Sequence, residues 1–209
     1  MSTTSIIQAG RSPQTVGLFL VLAAALLAAD LGLKWWSFQR FPDQPVDAAA
    51  VVAGEQAVPP AHRNLVPSLL SLKLTVNEGA VFGLGQGRRW LFVLFTIVAM
   101  AIVGWTFATS GRRQWVFHVS LALVLAGAVG NLYDRILYGG VRDMLWLLPG
   151  VELPFGWTWP GGTSDAYPWL FNLADVMLLV GIGMILIRLF FGPAEDAGPS
   201  AEAPADQGG

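Results

Sequence analysis

The stretch Phe171-Asn172-Leu173-Ala174-Asp175 sets an amide and a carboxylate at the head of an apolar segment that continues through Val176-Met177-Leu178-Leu179-Val180 to Phe190. A helix begun at Pro168 and carried to Phe190 is long enough to cross a hydrocarbon core at about 1.5 Å per residue. Asp175 is then expected about two turns inside the membrane, with Asn172 about one turn earlier on the same face. An ionisable carboxylate at that depth is expensive unless it meets a partner or a water-filled cavity, so it reads as functional. The plainer alternative makes both residues caps or interfacial residues of an ordinary membrane helix.

Other acids and amides stand at comparable places. Asp30 and Lys34, four residues apart, share a helix face and can neutralise each other. Asn131, Asp134 and Arg135 lie close together by helical spacing, and Asp134 is expected to pair with Arg135. Asp143 follows the Gly139-Gly140 pair, and Asn77-Glu78-Gly79 turns the end of an alternating run. Carboxylates brought close together share one proton, because like charges at short range cannot both ionise cheaply. The ionised member then takes a proton from water while the protonated one donates to a carbonyl oxygen, a route to amide hydrolysis with no acyl-enzyme. Buried acids equally suit an ion or headgroup path in a small carrier. In a purely structural subunit they would serve only helix association.

Composition removes several classes. Cysteine is absent, which excludes disulfides, thiol nucleophiles and zinc-thiolate sites. His62 and His118 fall in different segments and no HExxH pattern occurs, so neither a metal nor another cofactor is expected. A net charge of -2 without a basic tract offers nucleic acid nothing to grip. Hydrophobic residues reach 54% and charged ones only 12%, about half the charge a soluble domain uses to cover its surface.

The elements that must position these residues follow from hydropathy. The expected class is an all-α polytopic membrane protein with four transmembrane helices and a small extracytoplasmic β subdomain. Residues 1–14 are polar and expected to be disordered; the first span takes 15–37 and reads as a retained anchor, since no small-residue cleavage site follows it cleanly. Residues 38–89 form a loop and β cradle. Within it Phe41 to Pro60 lacks periodicity and reads as a loop or flexible insertion, Ser71 to Val76 alternates like a strand with one wet face, and Ala80-Val81-Phe82-Gly83 adds a short apolar piece. Further spans fall at 90–109, 115–137 and 168–190, joined by a short loop at 110–114 and a Trp-, Pro- and Gly-rich loop at 138–167 suited to headgroup level. Residues 191–209 form a tail with little to bury. His118 is expected as an interfacial helix residue rather than a ligand or base.

Four spans decide which polar residues meet. The end of the first, the first loop, the end of the third and the start of the fourth lie on one side, so Asp30, Asn77, Asn131, Asp134, Asp143, Asn172 and Asp175 converge on one membrane face. The opposite face receives the termini and the 110–114 loop. Arg112, Arg113 and Arg188 favour that face as cytoplasmic, while Arg40, Arg88 and Arg89 flank spans on the other, so charge counting leaves orientation open.

Five motifs now stand in order: Asp30 with Lys34; Asn77-Glu78-Gly79-Ala80-Val81-Phe82-Gly83; Gly127 with Gly130-Asn131-Leu132-Tyr133-Asp134-Arg135; Val141-Arg142-Asp143; and Phe171-Asn172-Leu173-Ala174-Asp175. Together they resemble the lipoprotein signal peptidase (signal peptidase II) family, bacterial prolipoprotein-processing aspartic peptidases of the inner membrane. The resemblance implies both termini cytoplasmic, a site opening to the periplasmic side and a sheet cradling the substrate. It implies Asp143 and Asp175 as the catalytic pair, with Asn77, Gly79, Asn131, Asp134, Arg135, Asn172, Asp30 and Lys34 supporting the site or binding substrate. The activity it implies is an intramembrane aspartic endopeptidase that cuts diacylglyceryl-modified prolipoproteins before the lipidated cysteine. Membrane lipids and that precursor are then the partners, with no obligate protein partner. Departures from the family pattern are Met144 for Phe, Ala126 for Gly, Val81 for Ala, and insertions before Leu65 and around Pro149 to Gly162. None removes a polar residue of the motifs.

Overall fold

Ser12 and Pro13 open the first long helix. The Ser12 hydroxyl oxygen accepts the Thr15 N–H at 3.4 Å, and Pro13 brings its fixed φ to a position whose own N–H would be orphaned. The structure, a computed structural model, describes residues 8–60, 62–79 and 88–191. Helix α1 covers Pro13–Arg40, about 42 Å of rise, so it outreaches a hydrocarbon core and carries Phe38 into an extramembrane layer. The short α2 (Ala48–Val52) lies in that layer, and α3 (Arg89–Thr109), α4 (Trp115–Tyr138) and α5 (Leu173–Phe191) complete the helices. All but α2 are long and apolar enough to cross a membrane.

Helix α4 is the hub: α1, α3 and α5 all pack against it, while α3 and α5 have little contact with each other. Small residues make this possible. A Cβ on Gly127 would lie 2.5 Å from the Ala174 carbonyl oxygen of α5, and one on Gly130 would collide with the Asp30 carboxylate of α1. Gly139 ends α4 with φ 85°, the left-handed cap that glycine takes at least cost. Phe19, Val103, Phe107, Leu121 and Val124 fill the bundle toward its terminal end.

The extramembrane layer is a four-stranded antiparallel sheet in spatial order β1-β2-β3-β4, made of β1 (His62–Val66), β2 (Leu70–Asn77), β3 (Val141–Leu147) and β4 (Leu170–Phe171). One face buries Leu72, Leu74 and Met144 against Phe38, Val46 and Ala48. The other carries Thr75, Asn77, Val141 and Asp143 toward the bundle.

Several expectations need correction. The 41–60 stretch is no loose insertion: Val46 donates its N–H to Phe38 O at 2.9 Å, Asp47 caps α2 through Ala49 N at 2.9 Å, and Val46 and Ala48 are buried. Too short to show a period, it works as a cover for the sheet. The 138–167 loop contains β3, an inner strand, whose partners on either side lie at 70–77 and 170–171 and so leave no local signal. The fourth long helix starts at Leu173 instead of residue 168, because Leu170 and Phe171 pair with Trp146 and Leu145 in the sheet. Residues 8–14 are ordered: Ala9 is buried and its N–H reaches Ser110 O at 2.8 Å. Residues 1–7, the Ala80-Val81-Phe82-Gly83 piece and the tail beyond Phe191 lie outside the described residues. His118 is buried, with a ring nitrogen 2.9 Å from Ser110 Oγ at the turn between α3 and α4.

Candidate active site

Strand register brings the first two polar side chains together. Asn77 of β2 pairs with Val141 of β3, which leaves Asp143 two residues along on the same face, a diagonal neighbour. Asn77 Nδ2 accordingly donates to Asp143 Oδ2 at 3.3 Å, while Asn77 Oδ1 accepts the Gly79 N–H at 3.0 Å and closes the turn. Asn77 thus holds the end of the strand and orients the carboxylate with one amide.

The second carboxylate arrives at the end of a helix. Asn172 caps α5: its Oδ1 accepts the Asp175 N–H at 3.0 Å, and Asp175 Oδ2 accepts the Asn172 N–H at 3.0 Å. This reciprocal capping box explains the Asn-x-x-Asp spacing in local terms. It also corrects the depth of Asp175, which lies in the first turn of α5 rather than two turns inside it. The Asn172 Nδ2 group donates to Asp143 Oδ1 at 2.6 Å, so one residue bridges both carboxylates.

Beneath this pair lies a buried ionic scaffold. Lys34 is fully buried, ion-paired with Asp30 Oδ2 at 2.9 Å and Asp134 Oδ2 at 3.4 Å, and donates a hydrogen bond to Asn131 Oδ1 at 3.0 Å. With its oxygen held by Lys34 and by Asn172 Nδ2 at 3.2 Å, Asn131 presents its amino group to Asp175 Oδ1 at 2.8 Å. Asp30 Oδ1 accepts the Ala174 N–H at 2.9 Å, which ties α1 to the first turn of α5. Asp134 receives Arg142 Nη2 at 2.8 Å, Arg142 Nε at 3.2 Å and the Arg142 backbone N–H at 2.9 Å.

The expected Asp134–Arg135 pair is therefore not formed. On the helix Arg135 points to the cavity, stacked 5.2 Å from the Phe92 ring, with guanidinium contacts to Asn131 O at 3.4 Å and Gly79 O at 3.5 Å. Asp134 instead meets Arg142, on the β3 face opposite Asp143. Strand alternation in Val141-Arg142-Asp143 contained this assignment, since neighbouring strand residues face opposite ways. Every other site residue singled out from the sequence sits in or against this one cluster.

The carboxylates face a cavity of about 850 Å³. Thr75, Asn77 and Asp143 line its sheet wall, Asp175 and Leu178 one helical wall, Phe92, Phe95 and Thr96 the other, and Ala128 and Asn131 the floor. It therefore opens between α3 and α5, where those helices do not pack together. Burial, and next the charge of Asp175, push the Asp143 carboxyl up to about 7; the amides of Asn172 and Asn77 and the Lys34 charge offset this in part. Tyr167, a wall residue that sequence reasoning passed over, has its phenol raised by burial and then by Asp175 and Asp143. Its ring stands edge-on to Trp169 and Phe171, and its carbonyl oxygen accepts the Trp146 indole N–H at 3.1 Å. A bridged pair of carboxylates, one disposed to hold a proton, can activate water against a carbonyl group.

The profile of the family described as Signal peptidase (SPase) II matches residues 22–191, a range that contains both carboxylates and their whole scaffold. The chain belongs to the signal peptidase II family. Members that it resembles include the lipoprotein signal peptidase of Azoarcus sp. (strain BH72), 32% identical over 86% of this chain and 88% of the relative. That of Lactobacillus gasseri is 30% identical over 86% and 96%, and that of Symbiobacterium thermophilum 31% identical over 82% and 93%. Two solved bacterial membrane enzyme structures obtained by the in meso method share the fold. One, at 2.3 Å resolution, has a TM-score of 0.63 at 22% identity over 90% of this chain and 96% of its own. The other, at 1.9 Å, has 0.60 at 23% identity over 84% and 94%. This signal peptidase II family member is thus a multi-pass membrane peptidase, with four spanning helices and a four-stranded sheet.

Proposed function

We propose that the chain is an aspartic endopeptidase that removes the signal peptide of diacylglyceryl-modified prolipoproteins, cutting before the lipidated cysteine at the outer side of the bacterial inner membrane. Membership of the signal peptidase II family supports the substrate class. The observation that carries the chemistry is the bridging of Asp143 and Asp175 by Asn172 at the wall of one cavity.

Asp143 is the member that holds the proton, since burial and the neighbouring charge both favour its neutral form. Asp175, with N–H donors on both oxygens at the head of a helix, is the base. It takes a proton from water as the water oxygen attacks the scissile carbonyl carbon, while Asp143 gives its proton to the carbonyl oxygen. The tetrahedral diol collapses as Asp175 passes its new proton to the departing nitrogen and Asp143 recovers one from a diol hydroxyl. Both acids return to their starting states and no acyl-enzyme forms.

The gap between α3 and α5 suits a substrate that enters sideways from the membrane, and its apolar walls suit acyl chains, each buried CH₂ contributing about 0.8 kcal/mol. A carrier would need a polar path through the bundle. Toward the terminal end Phe19, Val103, Phe107 and Leu121 pack into an apolar plug, which speaks against that alternative.

The test uses purified wild type, Asp143→Asn and Asp175→Asn, each checked for folding, on a lipidated precursor and its unlipidated counterpart with chelator present. Wild type should cleave the lipidated precursor and hardly touch the other, and both variants should lose nearly all turnover. Substantial cleavage by either well-folded variant, or loss of wild-type cleavage in chelator, would reject the dyad. Equal turnover of the two precursors would reject lipid recognition.

A further inference from the structure

At the end of the bundle remote from the two carboxylates, α1 and α4 part around a second cavity of about 230 Å³. Its walls are mostly apolar, with Leu18, Phe19 and Leu22 on successive turns of α1 facing Val119 of α4, and the His118 ring as the polar member. Its outer end holds Thr15, Arg112 and Trp115. Trp115 is 70% exposed, the place an indole takes at a membrane interface. Arg112 is exposed, and its guanidinium has no ion pair or hydrogen bond with any described residue. Arg11, Arg113 and Arg188 share this end, and no acid among the described residues does.

Size and charge select the occupant. One turn of a partner helix, about 10 Å wide and 5.4 Å tall, fills roughly 420 Å³ and does not fit. The upper part of one hydrocarbon chain, much narrower than a helix, does, and the cation at the mouth calls for an anion at the chain's head. We propose that this cleft binds one anionic phospholipid of the adjoining leaflet, its phosphate on Arg112 and the upper part of one acyl chain between α1 and α4. The site is separate from the peptidase cavity and does not depend on the reaction assigned there.

The full chain, purified in neutral detergent, is incubated with phosphatidylglycerol or phosphatidylcholine of identical chains, and retained lipid is counted by native mass spectrometry. Wild type should prefer phosphatidylglycerol by about fivefold, the worth of one cation beside an anionic headgroup. Arg112→Gln should bring the two lipids level and still cleave precursor like wild type, whereas Arg113→Gln, outside the cleft, should keep the preference. Leu22→Trp should lower retention of both lipids by filling the groove. No preference in wild type overturns the proposal. So does equal loss in the two arginine variants, which would mean general surface attraction, and so does full competition by water-soluble glycerol phosphate, which would mean a phosphate site without a lipid.

Discussion

Asp143→Asn should abolish turnover and yet make the protein more stable at neutral and alkaline pH. The carboxyl moves from an ordinary 3.8 to about 7 on folding, so the folded state binds the extra proton between those values. Stability is therefore undiminished below about pH 4, falls as pH rises through that window, and is lower by about 4 kcal/mol once Asp143 ionises in place. Asparagine removes this loss. It keeps an acceptor for the 2.6 Å bond from Asn172, but sets an amino group against the Asn77 donor at 3.3 Å, a cost of about 1 kcal/mol. The variant should be near break-even at pH 5 and ahead by about 3 kcal/mol at pH 8. For a chain of this size that is roughly 6–12 °C in apparent melting temperature. Tryptophan fluorescence melts of both proteins in one detergent, from pH 5 to 8.5, read the difference directly. A pH-independent difference, or a variant less stable than wild type at pH 8, would refute the reasoning that burial keeps Asp143 neutral.

Three further outcomes are expected. Cleavage should decline about tenfold per pH step well above 7, as Asp143 loses the proton it must donate; a rate still rising past pH 8 would remove it from that role. Asp134→Asn leaves Arg142 and Lys34 under-compensated in a buried site, a loss of about 3–5 kcal/mol, so folded yield should collapse; near-normal yield would show the scaffold to be dispensable. Reporter fusions at Gln114 and after Phe190 should both read cytoplasmic, and a periplasmic signal at either would invert the orientation.

Hydropathy alone determined the four spans, because a hydrocarbon core demands long apolar runs and little else. Counting those spans sufficed to bring Asp30, Asn77, Asn131, Asp134, Asp143, Asn172 and Asp175 to one end, since consecutive crossings must alternate in direction. Local spacing foretold the Asp30–Lys34 pair, realised at 2.9 Å. It also contained the Asn172–Asp175 capping box, though a helix drawn from Pro168 obscured it. Tertiary structure decided the rest. Leu170 and Phe171 are equally apolar in a helix or a strand, and only pairing with β3 made them β4 and set Asp175 in the first turn of α5, at the wall of the cavity. Asp134 had Arg135 one residue away and Arg142 eight away, and chose the latter because β3 turns Arg142 down onto α4 while Arg135 faces the cavity. Both outcomes rest on sheet hydrogen bonds between segments far apart in the chain, whose partners no local pattern of side chains can name.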